Sequence, residues 1–391
     1  MNKTVLLCVS GGIAAYKIPN LARMLTKIGV TVHVLMTENA KNFINPIVFE
    51  TLTSHKCLID TFDRNFQYSV EHVALAKAAD VVMVAPASAN VIGKIANGIA
   101  DDMLTTTIMA CPCHKIIAPA MNHNMYHNPI VQDNLKKLEH FGYEIVAPAH
   151  GRLANGDMGD GRMPEESLLF EYIMKEISHE KDLLGKKLLV TAGATQEAID
   201  PVRYITNHST GKMGYAIAKA AMRRGAEVTL VTGRTAIAPP PFIKTIPVVS
   251  AQDMFEAVSA EAAEQDIIIK AAAVADYRPI EAADNKIKKK DGDASIMLER
   301  TTDILAWLGA HRREDQIICG FSMETENLIE NSRAKLKKKN IDMIVANNLK
   351  TKGAGFGTDT NVVTFIRESS IKELDIMSKD EVADAILDEL K

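Results

Sequence analysis

Several absences narrow what this sequence can be. Five cysteines, an odd number scattered at Cys8, Cys57, Cys111, Cys113 and Cys319, do not make a disulfide framework, and a reducing cytoplasm is the expected setting. No apolar run approaches the roughly 20 residues that a membrane span requires, and no basic segment leads into the first apolar run. The net charge of -4 gives no global reason to expect nucleic acid. No low-complexity tract is present, and no G-x-G-x-x-G fingerprint follows the first apolar run, which disfavours a nicotinamide dehydrogenase. What remains is ordinary for a folded α/β protein: 47% hydrophobic residues in 391, a length that suggests two domains.

The chain starts twice. Val5 to Val9 is an apolar run that breaks into Ser10-Gly11-Gly12, and Leu188 to Val190 is another that breaks into the small-residue turn Thr191 to Thr195. A strand running into such a turn is the usual opening of a nucleotide-binding α/β unit, where free turn amides meet a phosphate. The charged, Gly-containing stretch from His179 to Lys187 sets a boundary near residue 180, giving domains 1–180 and 181–391.

In the first half the spacing predicts a helix over Ile13 to Ile28, with strands at Val32 to Met36, Asp80 to Ala85, Lys115 to Ala118 and Tyr143 to Ala147. Their ends are rich in Ser, Thr, Asn and Gly, which is where ligands bind in parallel sheets. On spacing alone a flavin mononucleotide is as plausible as a dinucleotide. Cys111-Pro-Cys113-His114 has no second Cys/His pair near it and reads as a loop before a strand. In the second half, strands are expected at Ala226 to Val231, Asp266 to Ala275, Gln316 to Gly320 and Asp342 to Ala346, with helices at Met213 to Arg224 and Lys379 to Leu390. Two lysine runs, Lys286 to Lys290 and Lys335 to Lys339, read as solvated faces unless they converge with an acid such as Asp276.

Two motifs carry a resemblance. Pro119 to Tyr126 (PAMNHNMY) resembles the P-x-M-N-x-x-M-W signature of the flavin-dependent cysteine decarboxylases, with Tyr126 in place of Trp. The stretch from Val70 to Asn90, with His72 before the strand and PASAN after it, resembles the same family's histidine motif. The resemblance implies a flavodoxin-like domain holding FMN among Ser10, Gly11, Gly12, Thr37, Ser88 and Met121. It implies His72 as base or proton shuttle, Asn122 as the group that binds the departing carboxylate, and Met125, Asn155 and Gly156 against the substrate. In that family the flavin oxidises the thiol to a thioaldehyde, whose C=S accepts the electrons released with CO2. One departure stands out: relatives carry A-C-G-D in the flap, and their cysteine gives the last proton. Here the flap reads Ala154-Asn155-Gly156-Asp157, so Asp157, His72 or water must serve.

The second half, through TAGATQEAIDPVRYITNHSTGKMG, AAAVADYRP, KIKKK and KLKKKNIDMIVANN, resembles the ligase half of the bifunctional phosphopantothenoylcysteine decarboxylase/phosphopantothenate–cysteine ligase family of coenzyme A biosynthesis. The fold class implied is α/β, two Rossmann-like domains, the second a nucleotide-binding ligase domain with a parallel-sheet core. CTP would activate 4'-phosphopantothenate as an acyl-cytidylate for attack by cysteine. Asn207 and Lys286 are the implied catalytic residues, Gly193, Ala272, Ala273, Asp276, Phe321, Lys335 and Lys339 the further nucleotide contacts, and Asp276 the Mg2+ ligand. The family's assembly implies a homo-oligomer, a dodecamer built from trimeric and dimeric contacts, with no nucleic-acid or membrane partner. The alternative is a ligase whose flavin domain is impaired in its final step.

Overall fold

The computed structural model describes residues 2–63, 71–154, 156–288, 295–324, 328–348 and 357–391. The chain divides into two compact units, 1–179 and 180–391. The linker-like stretch after His179 belongs to the second: Leu183 is buried and its amide donates to the Arg224 carbonyl at 3.0 Å. Arg224 in turn grips Asp182 at 2.5 Å.

The first unit is built on five parallel strands, β1 (Thr4–Val9), β2 (Thr31–Met36), β3 (Val81–Ala87), β4 (His114–Pro119) and β5 (Glu144–Ile145), in the order β2-β1-β3-β4-β5. This is the flavodoxin-like winding, whose ligand crevice opens between β1 and β3. Helices cover both faces, so β1 is apolar on both sides, and Val5 to Val9 are all fully buried. The helix expected over Ile13 to Ile28 is in fact a 3-10 turn, Ile13–Lys17, followed by an α-helix, Ile18–Lys27. Pro19 sits in the first turn of that α-helix, where its missing N–H has no intrahelical role. The Gly-rich flap is an antiparallel hairpin, Ala149–Arg152 with Met158–Arg162.

The second unit holds an eight-stranded sheet. Its strands are β6 (Lys187–Ala192), β7 (Glu227–Thr232), β8 (Lys244–Pro247), β9 (Ile267–Lys270), β10 (Ile317–Glu324), β11 (Met343–Asn348), β12 (Val363–Ile366) and β13 (Ile371–Glu373), in the order β8-β7-β6-β9-β10-β11-β12-β13. The first six are parallel and, counted along the chain, lie 3-2-1-4-5-6, the Rossmann order; β12 and β13 add antiparallel. The strand expected over Asp266 to Ala275 stops at Lys270. Beyond it the backbone is captured by the turn after β6: the Ala272 amide donates to Thr191 Oγ1 at 3.1 Å, Ala273 to the Gly193 carbonyl at 2.9 Å and Ala275 to Thr195 Oγ1 at 3.0 Å. The helix Lys379–Leu390 starts on a capping box between Ser378 and Glu381. Among the described residues no helix is long and apolar enough to cross a membrane.

Candidate functional sites

The first unit carries a cavity of about 740 Å³ at the carboxyl ends of β1 and β3. It gathers Gly11, Gly12, Ser88, Met121, Asn122 and Met125 from the sequence expectations, and adds the cations Lys17, Arg152 and Arg162. Ser10 is different: it is fully buried, and its hydroxyl donates to the Pro86 carbonyl at 2.7 Å while accepting the Ser88 amide at 2.9 Å. It therefore fixes the two turns that border the cavity. Thr37, at the end of β2, holds a buried hydroxyl with no partner among the described residues. Thr37 is not among the wall residues; Gly turns, Arg152, the Lys17 and Arg162 cations that share Glu165, and apolar walls from Ile13, Leu153 and Met163 suit a planar, phosphorylated, hydrogen-bonding group such as FMN.

Asn122 caps the short helix His123–Tyr126, its side chain accepting the Asn124 amide at 2.9 Å. The hairpin presses onto this turn, with the Met121 amide donating to the Gly161 carbonyl at 3.0 Å. Gly161 has φ +115°, and a Cβ there would lie 2.2 Å from the Met121 carbonyl oxygen. Gly161→Ala is therefore expected to destabilise the first unit by about 1–3 kcal/mol and to loosen the cavity wall, read as a lowered Tm together with weakened flavin retention.

Asp157 and Gly156 stand at the hairpin turn rather than on the cavity wall, Asp157 being exposed, and Asn155 lies outside the described residues. His72 lies in the helix Glu71–Ala78 and does not line the cavity of its own chain.

The second unit has a cavity of about 320 Å³ at the carboxyl ends of β6, β9, β10 and β11. Asn207, Ala272, Ala273, Asp276, Phe321 and Lys335 line it as expected. Gly193 stands behind the wall with φ +78°, its carbonyl holding the Ala273 amide, while Asn207 donates to the Ala273 carbonyl at 3.1 Å. Residues 209–211 bring the N-terminus of the Lys212–Arg223 helix to the same space, a ready anion site.

Three lysines that sequence reasoning passed over, Lys212, Lys270 and Lys379, also line it. Lys270 ends the apolar strand β9, and burial, reinforced by the positive charges of Lys335 and Lys339, holds its ammonium down to about 8. The available signal was a lysine closing a run of isoleucines. Asp276 supplies a carboxylate at the rim, and one carboxylate together with substrate phosphates is a usual setting for Mg2+.

Two expected nucleotide contacts lie elsewhere. Lys339 is not on the wall; it pairs with Asp303 at 2.8 Å, and its charge reaches the cavity only through its effect on Lys270. Lys286 is exposed on a loop that does not line the cavity. That loop is anchored next door: the Ile287 amide donates to Asp200 Oδ2 at 3.1 Å, and Arg203, paired with Asp200 at 2.5 Å, donates to the Ile287 carbonyl at 3.1 Å. Arg203 foremost, with the amides of Val202, Ile287 and Arg203, keeps the Asp200 carboxyl well below the usual carboxylate range. Asp200→Asn should free the Lys286 loop. Ile287 amide exchange should accelerate at least about tenfold and ligation should fall, while decarboxylation of supplied acylcysteine stays unchanged.

The Flavoprotein family matches residues 1–178, and the family described as the DNA/pantothenate metabolism flavoprotein C-terminal domain matches residues 183–391. The chain is thus a flavoprotein of two joined α/β domains. It is 48% identical over 393 residues to the coenzyme A biosynthesis bifunctional protein CoaBC of Bacillus subtilis (strain 168), covering 100% of this chain and 97% of the relative. It is 40% identical over 391 residues to the protein of the same name from Escherichia coli (strain K12), covering 99% and 96%. A crystal structure of the C-terminal domain of a CoaBC protein, 48% identical, covers 53% of this chain and 96% of that one, with a TM-score of 0.46. The chain belongs to the CoaBC family of bifunctional proteins of coenzyme A biosynthesis.

Proposed function

We propose that the protein joins cysteine to 4'-phosphopantothenate in its second domain, residues 181–391, and decarboxylates the product to 4'-phosphopantetheine in its first, residues 1–180. The observation that carries this reading is full-length family membership together with a separate cavity at the switch point of each sheet.

In the second domain, the helix N-terminus at 209–211 and Lys212, Lys270 and Lys335 would receive the phosphates of CTP, with Mg2+ at Asp276. Asn207, held against the Ala273 carbonyl, would orient the activated acyl group for attack by the cysteine amine. CMP and pyrophosphate leave. Lys286 reaches this reaction only if its loop closes over the cavity, and Asp200 fixes the root of that loop.

In the first domain, Gly11, Gly12, Ser88, Met121 and Thr37 would hold FMN, with Ser10 setting the two turns. Bound FMN would supply the reversible two-electron oxidation of the substrate thiol that gives decarboxylation its electron sink. Asn122 presents a carboxamide to the substrate carboxylate, Met125 packs against the substrate arm, and the hairpin walls the cavity from water. His72 moves the proton. With Asn155 in the flap, Asp157 at the hairpin turn is the protein acid nearest in sequence for the last protonation. The lysine-lined and arginine-lined cavities suit one substrate arm that carries a phosphate through both reactions. A homo-oligomer, a dodecamer in the family's arrangement, would bring His72 of one copy to the cavity of another.

The test is incubation of the purified chain with 4'-phosphopantothenate, cysteine, CTP and Mg2+, following CO2 and the thiols by mass. Accumulation of 4'-phosphopantetheine is expected. A wild type that stops at phosphopantothenoylcysteine, or releases an oxidised ene-thiol, would mean that Asn155 has cost the first domain its final step.

A further inference from the structure

The flap meets the Asn122 turn through a cluster that the reactions above do not use. His123 and His127 lie four residues apart at the short helix, their ring centroids 4.4 Å apart. Asp160, on the second strand of the hairpin, places Oδ2 2.9 Å from His127 Nε2, and its amide donates to His123 Nδ1 at 3.1 Å. One ligand atom from each of the three lies within 4.8 Å of the others. The other carboxylate oxygen of Asp160 is held by His150 Nδ1 at 2.9 Å, from the opposite hairpin strand.

We propose that His123, His127 and Asp160 bind a zinc ion that clips the flap to the helix behind Asn122. Two imidazoles and a carboxylate suit Zn2+, and bonds of about 2.0–2.2 Å around a tetrahedral ion put ligand atoms about 3.3 Å apart. The His127–Asp160 pair, now 2.9 Å apart, need open by only a few tenths of an ångström to admit the ion, and His123 must give up the Asp160 amide hydrogen bond at Nδ1 so that its ring has a lone pair to offer. His127 is 48% exposed, so solvent and ions reach the cluster. His150 orients the Asp160 carboxylate from outside, as the partners of metal ligands commonly do.

The second group of ligand-like side chains, His114, Glu144 and Glu176, differs in having Lys175 already seated on Glu144 at 2.5 Å. Among the described residues no lysine or arginine sits on Asp160. The hairpin strand runs so close to the helix that a Cβ on Gly159 would lie 2.8 Å from His123 Nδ1. A bound ion would therefore fix the wall formed by Arg152, Leu153 and Arg162 against the one formed by Met121, Asn122 and Met125.

The experiment is Zn2+ titration of the full chain by calorimetry, with hydrogen exchange of residues 149–162 measured with and without Zn2+. The wild type should bind one ion, and the hairpin amides should exchange more slowly when it is bound. His127→Ala and Asp160→Asn should each weaken binding at least about a hundredfold, and His150→Ala about tenfold. His127 is exposed, so His127→Ala should keep its circular dichroism spectrum and its Tm. Equal affinity in wild type, His127→Ala and Asp160→Asn would overturn the proposal, as would Zn2+ binding that leaves hairpin exchange unchanged.

Discussion

Lys270→Met should lower ligation by about 10²–10³-fold while decarboxylation of supplied phosphopantothenoylcysteine continues at the wild-type rate. The ammonium stands at the end of β9 on the wall of a cavity that also holds Lys212, Lys335 and Lys379. Poorly solvated cations gain most when a polyanion arrives. The charge on Lys270 is present below about pH 8 and is lost above it, so wild-type ligation should fall as pH rises through that value and the methionine variant should show no such step. Stability moves the other way. A lysine pKa lowered by folding makes the charged form costly, so wild-type stability rises between about pH 8 and the ordinary lysine value, and this rise should vanish in Lys270→Met. A variant that melts earlier at pH 7 would show the activity loss to be structural and would sink the assignment.

The second large effect concerns His72. His72→Asn and Asn122→Ala should each reduce decarboxylation by at least about a hundredfold. Co-expressed, they should recover about a quarter of the wild-type rate, because random assembly pairs an intact His72 with an intact Asn122 in that share of sites. The reason is placement: Asn122 lines the first cavity, whereas His72, in the helix Glu71–Ala78, does not line the cavity of its own chain. Recovery would assign the two residues of each working site to different copies. Failure to recover would mean that a single chain completes the site by a movement of that helix.

Much of this was legible because the strands are apolar on both faces. Val5 to Val9 and Leu188 to Val190 could be read as buried strands, and their polar ends led to the turns that border both cavities. The failures have physical causes. In the stretch Ile267 to Ala275 the alanines say nothing about where the sheet ends, and the strand stops because Thr191, Gly193 and Thr195 take its amides. Spacing assigned the flap no backbone conformation, and two short strands pair there around the turn at Gly156. Lysine was the most misleading residue type. Lys339, within a basic run, pairs with Asp303 and stands off the cavity wall, whereas Lys270 and the buried Lys379 carry no neighbouring lysine to mark them. Nor could spacing show that Ser10 would brace two turns instead of facing the cavity.

The two sheets are wound differently, 2-1-3-4-5 in one half and 3-2-1-4-5-6 in the other. A tandem duplication would have repeated one winding. The two halves of the chain that starts twice are therefore not structural copies of each other, and neither sheet borrows a strand from the other. Each can drift, be replaced or be encoded separately without breaking a strand of its neighbour's sheet. What the single polypeptide secures is equal dosage of two consecutive activities.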